Sequence, residues 1–448
     1  MTASSLPAPG SRQSWLDGLR GIAAAVVAWF HLTVDIMKAP YRSYYDFPPE
    51  ANRYFIQRPP FRLLFCGQAM VRVFFVISGY SVSYSIIKYR DSSNNAVFYK
   101  KLSSSVLRRI FRLYFPVVVL CLFCQVVYYI GAYDWEFGGN EGCPGAEPWG
   151  RPWPHLKCAI ISLLTSMNIT HGAYFSGGLN GQLWSMADEL VGSIAVYMCI
   201  LCMAFVQPKP RIYAVGFICL MLLWTGSPHP SAFLAGLLFA EIDLHNQQQM
   251  YSIPTAIMSE KIYPKQGPRL RTQVFRIAIL MVAIYFLCLP VLDEWPVDYW
   301  FPLTFNPLPL WDYPFAAING FHAIGSILLV GVLRYLPMLR GLLSSHVAQY
   351  LGKISFAFYL FHQVFIRSMR NPIMEYICLS TRGQDVVDTR DDPDGGPVYF
   401  LAWVVAAIII GPLAIITSHF VTNIVDRYAV NMSHSMEKRL TQPPQHVS

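Results

Sequence analysis

The feature that most constrains this chain is a succession of long apolar segments. About ten of them reach or approach the roughly 20 residues that a helix needs to cross a bilayer. They cover residues 19–37, 67–87, 111–131, 183–206, 212–226, 231–244, 274–292, 315–336, 351–369 and 398–421. Only 13% of the residues are Asp, Glu, Lys or Arg, against about 25% in a soluble domain. The sequence therefore predicts an all-α fold, a polytopic membrane helical bundle of about ten transmembrane helices.

The few charges alternate in sign along the chain. Segments 88–112, 245–276 and 334–353 are predominantly basic, whereas segments 293–314 and 385–394 are predominantly acidic. Because basic loops tend to stay in the cytosol, this pattern predicts that both termini are cytosolic, in an endomembrane such as the endoplasmic reticulum or in the plasma membrane. The basic residues of these cytosolic loops then explain the formal net charge of +8. No nucleic-acid partner is therefore expected.

The polar ends and loops complete this organisation. The sequence predicts a disordered cytosolic N-terminus, a transmembrane domain and a cytosolic tail, at residues 1–14, 15–426 and 427–448. Cys143 and Cys158 lie in or beside a polar loop on the predicted far side, where an oxidising lumen would allow a disulfide. Asn168 opens a glycosylation sequon on the same side. The sequence alone leaves both the bridge and the glycan open.

Several ionisable side chains lie inside the apolar segments. Each costs about 2.5–3.5 kcal/mol on membrane-insertion scales, so each is a functional candidate. Arg20 and His31 share the first segment, and their spacing places them on one face of a helix, roughly 16 Å apart along its axis. Arg72 lies in the second segment and Glu189 in the fourth. The structural alternative is a snorkelling arginine, a histidine that bonds a neighbouring helix and a buried ion pair.

Further candidates are polar or aromatic residues of the same segments that could line a pocket. They are Ser78, Tyr80, Trp184, Ser185 and His362, with Asn319 and His322 as weaker candidates. Ser78 precedes Gly79, and such small residues more often serve close helix packing. For His362, a structural hydrogen bond is an equally good explanation.

A basic run stands at the predicted cytosolic mouth of the third segment. It contains Arg108, Arg109 and Arg112. Guanidinium groups bind phosphate in a bidentate manner, so this run is a candidate site for an anionic phosphate ligand. The alternative is a cluster that only sets membrane topology.

Taken in order, these motifs resemble the acyltransferase-3 family of integral membrane O-acyltransferases. The likeness is carried by Asp17-Gly18-Leu19-Arg20-Gly21 with His31, Phe74-Phe75-Val76-Ile77-Ser78-Gly79-Tyr80, Arg109-x2-Arg112, Leu183-Trp184-Ser185 through Glu189, and Gly352-Lys353-Ile354-Ser355 through His362. One departure is Gln182, because many members have His at this position.

The resemblance implies transfer of an acyl group, usually acetyl, from acyl-CoA to a hydroxyl. His31 would match the proposed catalytic histidine and Arg20 its partner, while Arg109 and Arg112 would match the motif suspected of handling the donor. Acyl-CoA is then a co-substrate, with no permanently bound cofactor and no metal. The other partners are membrane lipid and a hydroxyl-bearing small molecule, lipid or glycan as acceptor.

The residues suggest a mechanism as a hypothesis. His31 takes the proton of the acceptor hydroxyl as its oxygen attacks the thioester, and Arg72 or Arg20 stabilises the oxyanion. Glu189 could hold the imidazole tautomer of His31, pair with Arg72 or merely close a buried ion pair. Two other functions stay open: a proton-coupled transporter, whose path would be lined by these buried ionisable groups, and a non-catalytic lipid- or sterol-binding protein.

Overall fold

The computed structural model describes residues 13–45, 47–91, 95–133, 143, 145–168, 179–251, 270–290 and 316–441. Within these ranges the chain is helical and contains no strands, which confirms the predicted all-α class. The α-helices are α1 (Ser14–Thr33), α2 (Gly67–Arg90), α3 (Asn95–Tyr129), α4 (Pro152–Ser166), α5 (Trp184–Cys202), α6 (Pro208–Trp224), α7 (Pro228–Tyr251), α8 (Leu270–Leu287), α9 (Ala316–Leu333), α10 (Pro337–Leu343), α11 (His346–Arg382), α12 (Val386–Asp391), α13 (Gly396–Val421) and α14 (Arg427–Thr441).

Shorter turns of other helix types connect these elements. Four 3-10 helices lie between α1 and α2, at Ala39–Tyr41, Pro49–Ala51, Phe55–Gln57 and Phe61–Phe65, and a fifth, Gly181–Leu183, precedes α5. A π-helix, Thr422–Asp426, joins α13 to α14. The predicted acidic loop 293–314, most of the predicted N-terminus and much of the basic segment 245–276 lie outside the described residues.

Each apolar segment predicted from the sequence contains a helix. In the part of the chain that the structure describes, 5 helices are long and apolar enough to cross a membrane, or 6 if the bent pair α9 and α10, which turns by 103°, forms one span. The five are Gly67–Arg90, Asn95–Tyr129, Gly181–Cys202, Leu270–Leu287 and Gly396–Arg439. The chain is therefore an integral membrane protein, while the count of about ten spans is not confirmed.

The chain forms two compact units. Unit 1 comprises Met1–Phe30, Met37–Ser105 and Val191–Gly352. Unit 2 comprises His31–Ile36, Val106–Leu190 and Lys353–Ser448.

Unit 1 is held together by a close crossing of α2 and α7. A Cβ atom built on Gly79 would lie 2.0 Å from the carbonyl oxygen of Phe233, and one on Gly236 would lie 2.2 Å from that of Val76. Only glycine allows two backbones to approach so closely. Helix packing therefore explains the glycine beside Ser78.

One end of unit 1 contains a closed group of charges, here called the unit 1 charge cluster: Arg90, Asp91, Arg211 and Glu241. Glu241 accepts hydrogen bonds from Arg90 at 2.7 and 2.8 Å and from Arg211 at 3.1 Å. Arg211 also donates to both carboxylate oxygens of Asp91, at 3.2 and 3.1 Å. Two cations and two anions thus neutralise one another, as buried charges require.

Unit 2 contains a disulfide, which links Cys143 to Cys158 across 5.4 Å between the Cα atoms. A hydrogen bond in unit 2 also joins two distant parts of the chain. The indole of Trp403 in α13 donates to the carbonyl oxygen of Leu32 at 3.1 Å. This bond fixes the segment that directly follows His31.

Candidate active site

Two histidines lie side by side in unit 2. The ring centroids of His31 and His362 are 5.2 Å apart. Nδ1 of His362 donates to the carbonyl oxygen of Phe358 at 3.1 Å, so Nε2 carries the lone pair. That Nε2 is buried and has no hydrogen-bond partner among the described residues. The structure thus brings together two candidates that are 331 positions apart in the sequence.

The two histidines differ in access. His362 is 1% exposed, whereas His31 is only partly buried. A base must reach the proton that it abstracts. Of the two, His31 therefore has the environment of a group that meets a substrate, and His362 that of a supporting group.

The surroundings of His31 come mainly from α11. The side-chain amide of Gln363 lies 3.0 Å from Nδ1 of His31. Arg370 donates to the backbone carbonyl of His31 at 3.5 Å and to the carboxylate of Asp35 at 3.0 Å. Arg367 is close enough to act on His31 electrostatically. The backbone and the ring of His31 are therefore both held in place.

Sequence reasoning gave no role to Gln363, Arg367 or Arg370. A usable signal was present, because these polar residues follow His362 at positions +1, +5 and +8 of the same helix. The neighbourhood of Asp35 had no such signal, since only the folded chain brings it to Arg370.

The basic run of α3 also lies in unit 2. Arg109 donates to Glu189 at 2.5 Å, and Arg108 donates to Glu437 of α14 at 3.1 Å. Arg112 is exposed and lies one turn beyond Arg108. Of the three roles considered for Glu189, the structure therefore displays an ion pair, and its partner is Arg109.

Arg20 and Arg72 lie in unit 1. Arg20 donates to the carbonyl oxygen of Gly352 at 3.0 Å and lies 3.9 Å from Asp17. Arg72, 3% exposed, donates to the side chain of Asn319 at 2.6 Å and to the carbonyl oxygen of Gln68 at 2.9 Å. These contacts satisfy the expectation that a membrane arginine needs partners. Roles for both in the chemistry stay predictions.

The remaining pocket candidates divide between the two units. In unit 1, Tyr80 donates to Asp243 at 3.0 Å and accepts from Gln13 at 2.6 Å, while Ser78 is partly buried. In unit 2, the hydroxyls of Ser185 and Tyr359 are 2.7 Å apart, and Trp184 begins α5.

Two further polar residues have structural partners. Gln182 donates to the carbonyl oxygen of Leu360 at 2.8 Å. It thereby anchors α11 two positions before His362. In unit 1, His322 bonds the carbonyl oxygen of Leu289 at 3.1 Å. Among the residues with described positions, no group of three His, Cys, Asp or Glu side chains could hold a metal ion.

Comparison with known proteins addresses the likeness that the motifs suggested. The profile of a family described as an acyltransferase domain, acyltransferase-3, matches residues 13–421. The chain belongs to this family. An acyltransferase-3 assignment over nearly the whole chain confirms the resemblance and supports acyl transfer as the activity.

Individual relatives of this acyltransferase are fungal. The O-acetyltransferase PaAT-1 of Phomopsis amygdali is 26% identical over 95% of this chain and 85% of its own length. The acyltransferase R4 of a Phoma species is 25% identical over 80% of this chain and 83% of its own. The acyltransferase clz18 of Cochliobolus lunatus is 22% identical over 83% of this chain and 87% of its own length. No solved structure matches the chain.

Proposed function

We propose that this protein transfers an acyl group, acetyl in the simplest case, from acyl-CoA to a hydroxyl of a small metabolite, lipid or glycan. The observation that carries the proposal is the partly accessible His31, held against His362 and Gln363. Family membership supports acyl transfer, and the relative PaAT-1, an O-acetyltransferase, favours an acetyl group and an oxygen acceptor.

His31 is the proposed general base. A hydroxyl is a weak nucleophile near neutral pH and needs a base within hydrogen-bond distance. Histidine is the side chain whose protonation equilibrium suits this task. The lone pair on its Nε2 takes the acceptor proton while the oxygen attacks the thioester carbonyl. The proton then passes to the sulfur of the departing CoA.

The phosphates of the donor are proposed to bind at the basic run of α3. Arg108, Arg109 and Arg112 occupy one helical turn and the start of the next, so their guanidinium groups can meet one polyanion. Arg108 and Arg109 already pair with carboxylates whose side chains are 16% and 12% exposed. A phosphate would have to compete for these arginines, and the partial exposure of the pairs supports such an exchange.

The proposed topology has ten spans and cytosolic termini. The alternation of loop charges supports it. The disulfide between Cys143 and Cys158 also supports it, because this loop would then face an oxidising lumen. In this arrangement Arg108 and the tail helix α14, which pair through Glu437, lie together on the cytosolic side, where acyl-CoA is made available.

The test is label transfer by the purified protein. Radiolabelled acetyl-CoA is incubated with the organic extract of cells that produce the protein, and labelled products are separated. We expect His31→Gln to lower turnover by roughly 10²- to 10⁴-fold, the contribution of a positioned base, with an unchanged elution profile in detergent. His419→Gln, at another partly exposed histidine of unit 2, serves as the matched control.

Two outcomes would contradict the proposal. Wild-type turnover by folded His31→Gln would remove His31 as the base. No label transfer by the wild-type protein, together with counterflow of a solute in vesicles, would favour transport. Comparing the metabolites of cells with and without the protein for one acyl mass difference would identify the acceptor.

A further inference from the structure

The side chain of Gln363 has the position of a group that controls His31. Gln363 lies in α11 beside His362 and is 6% exposed. Its amide meets Nδ1 of His31 at 3.0 Å. With the amide nitrogen facing the ring, the amide oxygen is buried and has no hydrogen-bond partner in the described part of the chain.

The orientation of this amide decides which imidazole nitrogen carries the proton. The oxygen and nitrogen of a glutamine amide occupy equivalent positions, and the hydrogen-bond network selects between them. If the NH₂ group faces Nδ1, Nδ1 is the acceptor and the ring proton lies on Nε2. If the oxygen faces Nδ1, it accepts from Nδ1–H and leaves the lone pair on Nε2.

We propose that Gln363 is a positioning residue whose amide oxygen accepts from Nδ1–H of His31 and so keeps Nε2 available as the base. The inference rests on the proposed function. It assigns to a neutral amide the orienting role that the sequence suggested for Glu189, a residue that the structure pairs with Arg109. In this orientation the amide oxygen bonds Nδ1–H, and the NH₂ group takes the buried position that has no partner among the described residues.

A neutral orienting group fits the charges around His31. From α11, His362, Arg367 and Arg370 act electrostatically on the ring. Asp35, from the segment after His31, is bound to Arg370. A carboxylate in place of the amide would favour an imidazolium, whereas an uncharged amide adds no charge beside the ring.

Gln363 serves the proton transfer from the acceptor hydroxyl to the departing sulfur. The acceptor O–H bond breaks and its proton moves to Nε2 of His31. The acceptor oxygen bonds the thioester carbon, and the C–S bond then breaks. The sulfur leaves with its electron pair and receives the proton from Nε2. The bond between Gln363 and Nδ1–H persists throughout, and it strengthens while the ring is charged.

Two substitutions separate orientation from packing. Gln363→Leu keeps most of the volume and removes the acceptor, and Gln363→Glu keeps an acceptor and adds a charge. Gln125→Leu is the matched control, because Gln125 is 7% exposed in the same unit and bonds Nδ1 of another histidine, His155, at 3.2 Å. The assay is label transfer from radiolabelled acetyl-CoA to the cell extract at saturating donor, with folding followed by elution in detergent.

For Gln363→Leu we expect the apparent kcat to fall by roughly 10- to 100-fold, part of what a positioned base supplies, with the KM for acetyl-CoA unchanged. For Gln363→Glu we expect kcat within about tenfold of wild type, because the tautomer is preserved. The acid limb of its pH–activity profile should move to higher pH, since the carboxylate stabilises the imidazolium. Gln125→Leu should retain the wild-type kcat and profile.

Three results would overturn the proposal while leaving the acyltransferase function intact. One is a folded Gln363→Leu protein whose kcat is within twofold of wild type. Another is an equal loss in both variants with the wild-type pH profile, which indicates packing alone. If Gln363→Leu does not fold, the profile of Gln363→Glu decides, and an unshifted acid limb contradicts the inference. Absence of transfer by the wild type would instead count against the proposed function.

Discussion

The two units each contain charged side chains within largely apolar surroundings, and these groups differ in closure. In the unit 1 charge cluster, Arg90, Arg211 and Glu241 have side chains that are 1%, 2% and 2% exposed, and Glu241 serves both arginines. In unit 2, Arg109 and Glu189 form a separate pair that is 24% and 12% exposed. Apart from Asp91, the first group is sealed from solvent, whereas the second is more open.

The difference teaches that burial of charge does not by itself mark a functional site. The unit 1 charge cluster has equal numbers of cations and anions and leaves little access for a ligand, so it acts as a structural junction between α2, α6 and α7. Under the proposed function, the more exposed pairs of unit 2 exchange a carboxylate for a phosphate of the donor. Accessibility, rather than charge, therefore distinguishes the two groups.

The largest expected effect is a loss of stability when the unit 1 charge cluster is broken. Glu241→Gln removes the anion that both Arg90 and Arg211 contact, and breaking a buried ion pair costs about 3–5 kcal/mol because the cations stay buried. The free energy of unfolding, measured by SDS titration in mixed micelles, should fall accordingly. Glu189→Gln, measured in parallel, should cost about 1 kcal/mol or less. An equal cost for both would break the comparison.

The next prediction tests the open pair. Arg109→Gln should raise the KM for acetyl-CoA roughly tenfold, since about 1.4 kcal/mol of a charge-assisted phosphate contact would be lost. Arg382→Gln is the control, because Arg382 pairs with Asp392 at 2.8 Å in the same unit with similar exposure. Steady-state kinetics at varied donor concentration supply the measurement. A tenfold change in the control as well would contradict a local donor site.

The smallest expected effect is the pH dependence of the stability that Asp91 contributes to the unit 1 charge cluster. Burial pushes the pKa of Asp91 upward, but the charges and hydrogen bonds of Arg90 and Arg211 outweigh it, so its pKa lies below the ordinary value. A carboxyl whose pKa is lowered by folding adds stability above its unfolded pKa, and this stability is lost as the pH falls through the folded value.

Asp91→Asn should therefore cost about 1 kcal/mol at neutral pH, a modest value because Asp91 is 23% exposed. The difference between variant and wild type should be constant above about pH 5 and should shrink below about pH 4, near the unfolded pKa of Asp. SDS titrations across this range test the prediction. A difference that grows on acidification would contradict the sign.

Much of the fold was predictable because membrane helices have a strong sequence signal. Apolar length located every predicted helix, although α11 extends to Arg382, well beyond the predicted end at residue 369. Hydropathy marks the apolar part of a helix, and a helix continues into polar sequence wherever its backbone bonds are satisfied. The number of membrane crossings was less predictable, because polar residues interrupt several of the apolar runs.

The candidate site was predictable only in part. The motifs identified His31 and His362 singly, since each is an ionisable group in an apolar run. They could not reveal that the two rings lie together, or that Gln363 meets Nδ1. Glu241 and Arg211 were not singled out at all, because nothing in one sequence distinguishes a shared buried carboxylate from a helix-end charge.

The sequence by itself determined that this chain is a helical membrane protein of the acyltransferase-3 family, since apolar length and ordered motifs are properties of the linear chain. Only the tertiary structure decided which charges close upon one another and which stay accessible. Partners such as Arg109 and Glu189, or His31 and Gln363, are far apart in the chain. Their pairing depends on which helix faces meet, and that is a property of packing rather than of composition.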